Sequence, residues 1–251
     1  MEATFEIFPS AKLKLENIPE YWPLTITATQ ESLEPTLQTY QQLGSRHTPH
    51  ISAALIEDEE HLQQLTDTIR HKVFLIGGDL DPVGPYERSA QLIPRFAHCD
   101  SIGVAGYPEP HPSYPTEAFG DEILLEKQQL GATYAATQMA FDPQSIIDWV
   151  ARIREVGVEL PVYCGIAAPI SVPKLTQFAI RCGVNSSLNF IKKMSTRDVA
   201  KMIQRYDPTP LMEEVYDHVD GFHIYTFNAI KTTDKWVHNT PWLEALATGV
   251  D

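Results

Sequence analysis

Apolar residues along the chain follow two alternating periods. Short runs rich in Val, Ile, Thr, Phe or Tyr, bounded by Gly, Pro, Asp or Ser, predict eight strands. Longer stretches between them carry apolar residues three and four positions apart, which predicts amphipathic helices. The predicted strands span 4–8, 24–28, 50–54, 73–77, 101–105, 134–141, 161–166 and 221–227, and the predicted helices span 32–43, 61–71, 86–97, 119–130, 142–156, 172–182 and 195–219.

The start of several helices is marked by capping residues. Asp142 before Pro143 predicts an N-cap followed by proline in the first turn. Ser171 before Val172-Pro173 predicts another start, and the run 195–198 matches a capping box.

Eight strands alternating with helices indicate parallel βα units. Eight is also the number that closes a barrel, so we predict an α/β fold, a single (β/α)8 TIM-type barrel. An open, doubly wound sheet is the alternative. No internal repeat or linker is evident, so residues 1–251 are predicted to form one catalytic domain.

The net charge and the cysteine and apolar patterns disfavour several classes of function and location. The chain has 251 residues and a net charge of −14, which disfavours a protein that neutralises nucleic-acid phosphates. No apolar run approaches the length of a membrane span, and no secretory signal is visible at the start. The three cysteines, Cys99, Cys164 and Cys182, form no C-x-x-C pair. These features predict a cytoplasmic protein with unreactive thiols, bound neither to nucleic acid nor to a membrane.

Polar residues follow seven of the eight predicted strands, where the active site of such a barrel forms. Glu6 is distinctive because Phe5 and Ile7 flank it. If it points into the barrel, burial should raise its pKa, as a general acid requires. The alternative is an outward carboxylate paired with a lysine. The candidates are Glu6, Thr27, His50, Asp79, Tyr107, His111, Gln138, Asp142, Tyr225 and Asn228.

The run Gly77-Gly78-Asp79 ends the fourth strand. Either the glycines let the backbone approach a ligand that Asp79 faces, or they form a tight turn in which Asp79 caps a helix. The sequence contains no phosphate-binding loop, no G-x-S-x-G elbow and no histidine cluster with metal-ligand spacing. We therefore predict no metal site.

The same segments resemble the methylenetetrahydrofolate reductase family. The most specific match is the run 102–112, and the matches keep the order of the family along nearly the whole chain. They comprise Phe5-Glu6-Ile7-Phe8-Pro9-Ser10, 24–27, 49–52, Gly78-Asp79, 102–112, Lys127 with 131–132 and 137–142, and 221–228.

The resemblance implies a (β/α)8 barrel that reduces methylenetetrahydrofolate to methyltetrahydrofolate. It implies that Glu6 is the general acid that helps open the five-membered ring, and that Asp79 binds beside the pterin. It implies folate contacts at Gln138, Phe141 and Tyr225. The positions that contact the cofactor in the family correspond to Thr27, His50, Gly78, Tyr107, His111 and Lys127.

The chain departs from the family pattern where the family binds FAD. Gly77 replaces an arginine, Glu126 replaces a basic residue, and Ile123 replaces an asparagine. Guanidinium groups are natural partners of a pyrophosphate, and each lost charge-assisted hydrogen bond is worth about 1.5–3 kcal/mol. Two losses weaken binding by roughly two to four powers of ten. The departures favour a flavin-free variant in which reduced nicotinamide delivers hydride directly to the folate. The expected cofactor is NAD(P)H, with NADH favoured, and the sequence contains no dinucleotide fingerprint that separates the two.

Three alternatives remain open. The same site could run in reverse and oxidise methyltetrahydrofolate, or the barrel could bind folate without redox activity. An unrelated phosphate-binding barrel is disfavoured because no glycine-rich phosphate loop is present. The expected partners are folate and a nicotinamide dinucleotide, both anionic, and a homo-oligomer is neither predicted nor excluded.

Overall fold

Eight parallel strands close into a barrel in chain order, with β8 returning to β1. The structure, a computed structural model, describes residues 1–29, 31–78, 80–109, 116–181 and 205–249. The closed sheet confirms the predicted (β/α)8 barrel and excludes the open, doubly wound sheet. The strands are β1 (Glu2–Ile7), β2 (Leu24–Ile26), β3 (Thr48–Ser52), β4 (Lys72–Ile76), β5 (Ser101–Gly106), β6 (Tyr134–Thr137), β7 (Val162–Ala167) and β8 (Gly221–Tyr225).

All eight predicted strands are present, with their carboxyl ends shifted by one to four residues. The largest difference is in β6, which ends at Thr137 although the apolar pattern continued to residue 141. Met139 and Phe141 are buried, but they pack in a second apolar cluster with Ile170 and Tyr206 outside the sheet. The apolar pattern continues past β6 because these residues are buried, although they do not pair with a neighbouring strand.

The helices occupy the predicted stretches as far as the structure describes them. The stretch 86–97 holds a short helix followed by a 3-10 turn over Ile93–Phe96, where a proline lacks the N–H needed to continue an α-helix. Two further helices at the C-terminal end were not predicted. The helices are α1 (Glu34–Leu43), α2 (Glu59–Thr68), α3 (Ser89–Leu92), α4 (Glu117–Gln129), α5 (Pro143–Glu155), α6 (Val172–Arg181), α7 (Thr209–Val215), α8 (Ile230–His238) and α9 (Pro241–Thr248).

The capping predictions meet different outcomes. The Asp142 carboxylate accepts a hydrogen bond from the Gln144 amide at 3.2 Å, which confirms this N-cap. Helix α6 begins at Val172, next to the predicted start at Ser171. The capping box at 195–198 lies outside the described residues, as does the first part of the predicted helix 195–219.

Alternation along β1 separates the two sides of the barrel wall. Phe5 and Ile7 are fully buried in the main apolar core, and Phe5 stacks on Trp22 with ring centroids 4.2 Å apart. Thr4 and Glu6 point the other way, into the barrel, where both approach His223 of β8. The period-2 pattern of this strand therefore places a carboxyl group in the interior.

The thiols within the described ranges are buried. Burial raises the pKa of Cys99 to about 11 and that of Cys164 to about 12, as expected of unreactive cysteines. Cys182 lies outside these ranges. Over the same residues, every helix is too short or too polar to cross a membrane.

Candidate active site

Glu6 lies near the carboxyl end of β1 and points into the barrel, the first of the two alternatives that the sequence left open, with 16% of its side chain exposed. Its Oε2 atom is 3.1 Å from Nε2 of His223 on β8 and 3.8 Å from Nε2 of His50 on β3. Three strands thus bring one carboxylate and two imidazoles together. This cluster, the Glu6–His50–His223 group, is the centre of the candidate site.

Both ring nitrogens of His223 make hydrogen-bond contacts that hold the side chain in place. Its Nε2 contacts Glu6, and its Nδ1 lies 3.3 Å from the Thr4 hydroxyl, two residues earlier on β1. The Tyr225 ring meets the imidazole edge to face at 4.9 Å. An N–H on Nε2 that donates to the carboxylate leaves Nδ1 to accept from Thr4. The arrangement therefore selects one tautomer of the imidazole.

His50 is held differently. Its ring stacks on Phe74 of β4 with centroids 4.6 Å apart, and burial lowers the pKa of His50 to about 4. Its Nε2 atom is buried and has no hydrogen-bond partner among the described residues. A neutral imidazole with an unused ring nitrogen is thus available to a ligand at this site.

The pKa of Glu6 departs from the prediction. Burial raises the pKa of the carboxyl group, but the hydrogen bond from His223 and the electrostatic effect of both imidazoles lower it by more. The net pKa lies below the ordinary value, so the prediction of a raised pKa is wrong. It considered burial alone and missed the two histidines that stabilise the carboxylate.

Thr27 and Thr226 complete the surroundings of Glu6. The Thr27 hydroxyl is near enough to lower the pKa of Glu6, yet it is buried without a hydrogen-bond partner in the described chain. The Thr226 hydroxyl donates to the backbone carbonyl of Glu6 at 2.6 Å. The Thr226 hydrogen bond ties β1 to the segment after β8, and the Thr27 amide, which donates to the Ile7 carbonyl at 2.9 Å, ties β1 to the segment after β2.

The residues expected to contact folate lie on β6, β8 and the loop after β6. The Tyr225 hydroxyl donates to the carbonyl of Thr137 at 2.9 Å. Gln138 accepts from the Met139 amide at 2.9 Å through Oε1, which leaves Nε2 to donate to a ligand. Phe141 is 1% exposed and packs edge to face on Tyr206, so it supports the wall and presents no open face.

The end of β4 has a packing reason for its glycine. Gly78 adopts a φ of +108°, and an added Cβ would lie 2.9 Å from the Cβ of Ala54 and still closer to the Ser52 hydroxyl. The tight turn therefore accounts for Gly78 without a ligand. Asp79 and His111 lie outside the described residues. Tyr107 is half-buried directly after β5.

Lys127 lies on α4 and is 5% exposed. Its Nζ donates to the carbonyl of Ala105 at 3.1 Å, and burial lowers the pKa of the ammonium to about 8. Its neighbour Glu126 pairs with Arg88 at 3.7 Å on the surface. Gly77 offers no side chain, and a Cβ there would lie 3.4 Å from the Glu87 carbonyl. Of the described residues at these positions, Lys127 is hydrogen-bonded to a backbone carbonyl and Arg88 is paired with Glu126, so the positive charge of both is directed to protein groups.

The Glu6–His50–His223 group also has the donor types of a metal site. Within the described ranges it is the one group of three His, Cys, Asp or Glu residues whose ligand atoms all lie within 4.8 Å of one another. Two imidazoles and a carboxylate could hold a zinc ion. The 3.1 Å contact between His223 and Glu6 is already a hydrogen bond, however, and this suits proton transfer.

Two members of this site are missing from the predicted set. His223 lies in the run 221–228 that resembles the family but is not among the candidate residues, and neither is Phe74. The register supplies the signal for both, since Thr4 pairs with His223 and His50 with Phe74. Residues of matching parity on closing strands share the interior, so a barrel prediction carried through to register would have found them.

Comparison with known proteins shows which family the chain is similar to. The model of the family described as methylenetetrahydrofolate reductase matches residues 10–241. Methylenetetrahydrofolate reductase 2 of Saccharomyces cerevisiae is 32% identical over 146 residues, which cover 52% of this chain and 23% of the yeast protein.

Two further relatives are named with their nicotinamide cofactor. A probable methylenetetrahydrofolate reductase (NADPH) of Caenorhabditis elegans is 25% identical over 67% of this chain and 28% of its own length. Methylenetetrahydrofolate reductase (NADH) 1 of Arabidopsis thaliana is 25% identical over 55% of this chain and 26% of its own length. The chain spans about a quarter of each of these three relatives. Since the family model matches nearly its whole length, the chain belongs to the methylenetetrahydrofolate reductase family.

Proposed function

We propose that this protein reduces methylenetetrahydrofolate to methyltetrahydrofolate with hydride from NAD(P)H, NADH being favoured, and that Glu6 supplies the proton. The observation that carries the proposal is the inward Glu6 carboxylate, hydrogen-bonded to His223 at the carboxyl end of the barrel. Names of relatives that contain either NADH or NADPH support a nicotinamide donor.

The reaction needs one proton and one hydride. In the proposed sequence Glu6 protonates the ring nitrogen that carries the aminobenzoyl arm, and the bond from that nitrogen to the bridging carbon breaks. The remaining iminium carbon accepts the hydride that the nicotinamide supplies, and a methyl group results. Glu6 is left ionised, and His223 stabilises the carboxylate through its hydrogen bond.

Glu6 is ionised in the free protein because its pKa is lowered. It must therefore gain a proton before it acts. A folate that covers the 16% of the side chain still exposed removes water from the carboxylate and raises its pKa. Burial raises the pKa of Glu6 and the two imidazoles lower it. Substrate binding adds to the burial, so it favours the protonated carboxyl group.

The remaining predicted residues have binding roles in this proposal. Gln138 donates from Nε2 to the folate, and Tyr225, which packs against His223, borders the folate. Asp79 is proposed to bind beside the pterin. Phe141 supports this wall from behind. The dinucleotide is proposed to contact the positions Thr27, His50, Gly78, Tyr107, His111 and Lys127. Among the residues that the structure describes, the Thr27 hydroxyl and Nε2 of His50 are buried and have no hydrogen-bond partner.

We further propose that the protein works without a bound flavin. Three observations support this. Lys127 donates a hydrogen bond to the Ala105 carbonyl, and Glu126 forms an ion pair with Arg88. Gly77 has no side chain that could bind a phosphate. A pyrophosphate would meet a carboxylate where the family supplies a cation. The Glu6–His50–His223 group does not depend on this choice.

An anaerobic assay with NADH and methylenetetrahydrofolate tests both proposals together. Protein stripped of any adventitious nucleotide is assayed with and without added FAD. Formation of methyltetrahydrofolate at equal rates in both arms is the expected result. Turnover only with FAD would remove the flavin-free proposal, and no turnover in either arm would remove the reductase proposal.

The lowered pKa of Glu6 favours a second candidate, the same reaction run as an oxidation. In that direction hydride leaves the methyl group for NAD⁺, and an ionised Glu6 accepts the proton released when the ring closes. The free protein already holds the base in its ionised form. Rates with NAD⁺ and methyltetrahydrofolate, compared with those of the reduction, distinguish the two directions.

A further inference from the structure

The Glu6–His50–His223 group converges on one point from three strands. Glu6 Oε2 lies 3.1 Å from His223 Nε2 and 3.8 Å from His50 Nε2, and the ligand atoms of the three side chains all lie within 4.8 Å of one another. An ion with four tetrahedral ligands at about 2.1 Å holds them about 3.4 Å apart, close to the two shorter separations. The three atoms therefore lie almost where three ligands of one small ion would lie.

Nε2 of His50 is the atom that points to a ligand. The side chain is 6% exposed, and among the described residues this atom has no hydrogen-bond partner. A buried polar atom without a partner is costly, so it needs an explanation. Nε2 faces the same carboxylate oxygen that contacts His223. One ion at this point would give all three side chains a shared partner.

The protonation of the group suits a metal ion. Burial lowers the pKa of His50 to about 4, so this imidazole is neutral near pH 7. Burial raises the pKa of Glu6, but the hydrogen bond from His223 and the two imidazoles lower it by more, so the carboxyl group is ionised. Metal ligands must be deprotonated, and here the ligands start in that form.

Thr4 can support His223 as a ligand. Zinc on Nε2 requires the ring proton to be on Nδ1, which lies 3.3 Å from the Thr4 hydroxyl. A hydroxyl group can both donate and accept, so Thr4 can accept from Nδ1 when the metal is bound and donate to it otherwise. Histidine ligands generally donate their other ring N–H to a protein acceptor, which holds the ring in its binding orientation.

The surroundings favour an ion with four ligands. The Phe74 ring stacks on His50, and the exposed 16% of the Glu6 side chain leaves limited room for a further ligand at the carboxyl end of the barrel. Zinc is commonly bound by three protein ligands and a water, and two histidines with a glutamate are one such set. Calcium and magnesium take about six or more oxygen ligands, and an iron site with these donors keeps several open positions. The site therefore fits zinc best.

We propose that the Glu6–His50–His223 group binds one zinc ion and that the bound ion blocks the reduction. The inhibition rests on the proposed reductase function, whereas zinc binding itself does not. A zinc ion on Oε2 of Glu6 occupies the lone pair that would carry the proton, and its positive charge opposes protonation of the carboxyl group. Glu6 then has no proton to give to the folate nitrogen. The metal-free group is the active form, and zinc competes with the proton for one oxygen atom.

The ligands come from positions 6, 50 and 223, on β1, β3 and β8. A local motif with metal-ligand spacing is therefore absent from the sequence, although the closed barrel brings the three side chains together. Strands also hold side chains more precisely than loops do, which suits a site with fixed ligand positions.

Zinc binding is measured by calorimetry on protein that a chelator has freed of metal. We expect one zinc ion per chain at this group. His50→Ala should weaken binding by more than about 100-fold, because even the loss of a contact behind a ligand costs about 10–100-fold. Thr4→Val keeps all three ligands and should weaken binding by about tenfold. Circular dichroism checks that both variants are folded.

His238→Ala is the matched control. His238 is an exposed histidine that contacts two carboxylates, Glu244 and Asp234, and it lies outside the group. The control should bind zinc as tightly as the unmodified protein does. Cobalt(II), used as a probe in place of zinc, should give the intense visible absorption of a four-coordinate ion in both of these proteins and not in His50→Ala. Equal zinc affinity in His50→Ala and the unmodified protein, or loss of binding in His238→Ala alone, would overturn the site.

Inhibition is measured with NADH and methylenetetrahydrofolate. Zinc in slight excess over the protein should abolish turnover in the unmodified protein and in His238→Ala, and EDTA should restore it. Magnesium at the same concentration should have no effect. Zinc that binds at the group but leaves turnover unchanged would overturn the inhibitory role. If zinc binds and His50→Ala loses it, but no protein reduces folate even with EDTA, the reductase proposal fails and the zinc site stands.

Discussion

His223 Nε2 lies 3.1 Å from Glu6 Oε2, and this contact joins the last strand of the barrel to the first. The two residues are 217 positions apart in the chain. The contact fixes the tautomer of the imidazole, and it holds the pKa of a buried carboxyl group below its ordinary value. Glu6 is thus an acid whose protonation depends on what covers it.

Glu6→Gln should lower kcat by about 10²–10⁴-fold, the usual contribution of a general acid. The amide keeps the size and polarity of the side chain but cannot deliver the proton. Folate affinity, measured by calorimetry, should change little because the pocket shape is kept. Glu155→Gln, an exposed change on α5, is the matched control. Activity equal to that of the control would remove Glu6 from the mechanism.

Replacing His223 should move the pH profile of the reduction. The reduction needs protonated Glu6, so kcat/KM falls as pH rises above the pKa of Glu6. His223→Ala removes the hydrogen bond that lowers this pKa and leaves burial, which raises it. The pH at which kcat/KM begins to fall should therefore increase.

Two comparisons accompany this profile. His223→Gln keeps an N–H donor and should shift the profile less than alanine does. His71→Ala removes an exposed histidine that pairs with Asp100 and does not belong to the Glu6–His50–His223 group. This variant should leave the pH profile unchanged. An unchanged profile in His223→Ala would mean that Glu6 does not control the pH dependence.

The strands could be predicted because they follow from local periodicity. The same periodicity puts Glu6 on the opposite face of β1 from Phe5 and Ile7, but it leaves open which face is the interior. In the structure Phe5 and Ile7 mark the outer face of β1, so Glu6 between them faces inward. The partnership with His223 could not be predicted locally, because it exists only once β8 pairs with β1. The predicted direction of the pKa shift of Glu6 is wrong for the same reason. Burial raises this pKa, but His50 and His223, which come from distant strands, lower it by more.

Other differences have local causes. Helix α8 was missed since Ala229 at its start gives no capping signal. Local periodicity therefore predicts the scaffold, and closure of the barrel determines which side chains meet.

Gly103→Ala should destabilise the barrel by about 1–3 kcal/mol through overpacking. The added methyl group would overlap the rings of Phe74 and Tyr134, which fill the interior beside β5. Urea unfolding followed by circular dichroism should show a lower midpoint with an unchanged slope. Phe74→Leu in the same chain should recover part of the loss relative to the sum of the single changes. Strict additivity would show that the two side chains do not compete for space.

Asp79→Ala should weaken folate binding or turnover if the carboxylate lies beside the pterin. Asp81→Ala is the matched control, because Asp81 is exposed two residues further along. Folate affinity and kcat are measured for both variants, together with the free energy of unfolding. A loss of stability without any effect on affinity or turnover would instead assign Asp79 a structural role after β4; helix capping is not that role, because α3 begins at Ser89 with Arg88 at its N-cap.

The purified protein should be colourless. A flavin held by charge-assisted hydrogen bonds survives purification, but here Glu126 and Gly77 stand where the family has cations. The combined change Gly77→Arg and Glu126→Lys restores both charges and should raise FAD affinity by roughly two to four powers of ten. Flavin fluorescence titration of the original and changed proteins measures the difference. A stoichiometric yellow flavin spectrum in the unchanged protein would overturn the flavin-free proposal, and the role of Glu6 would then be tested in the flavin-dependent reaction.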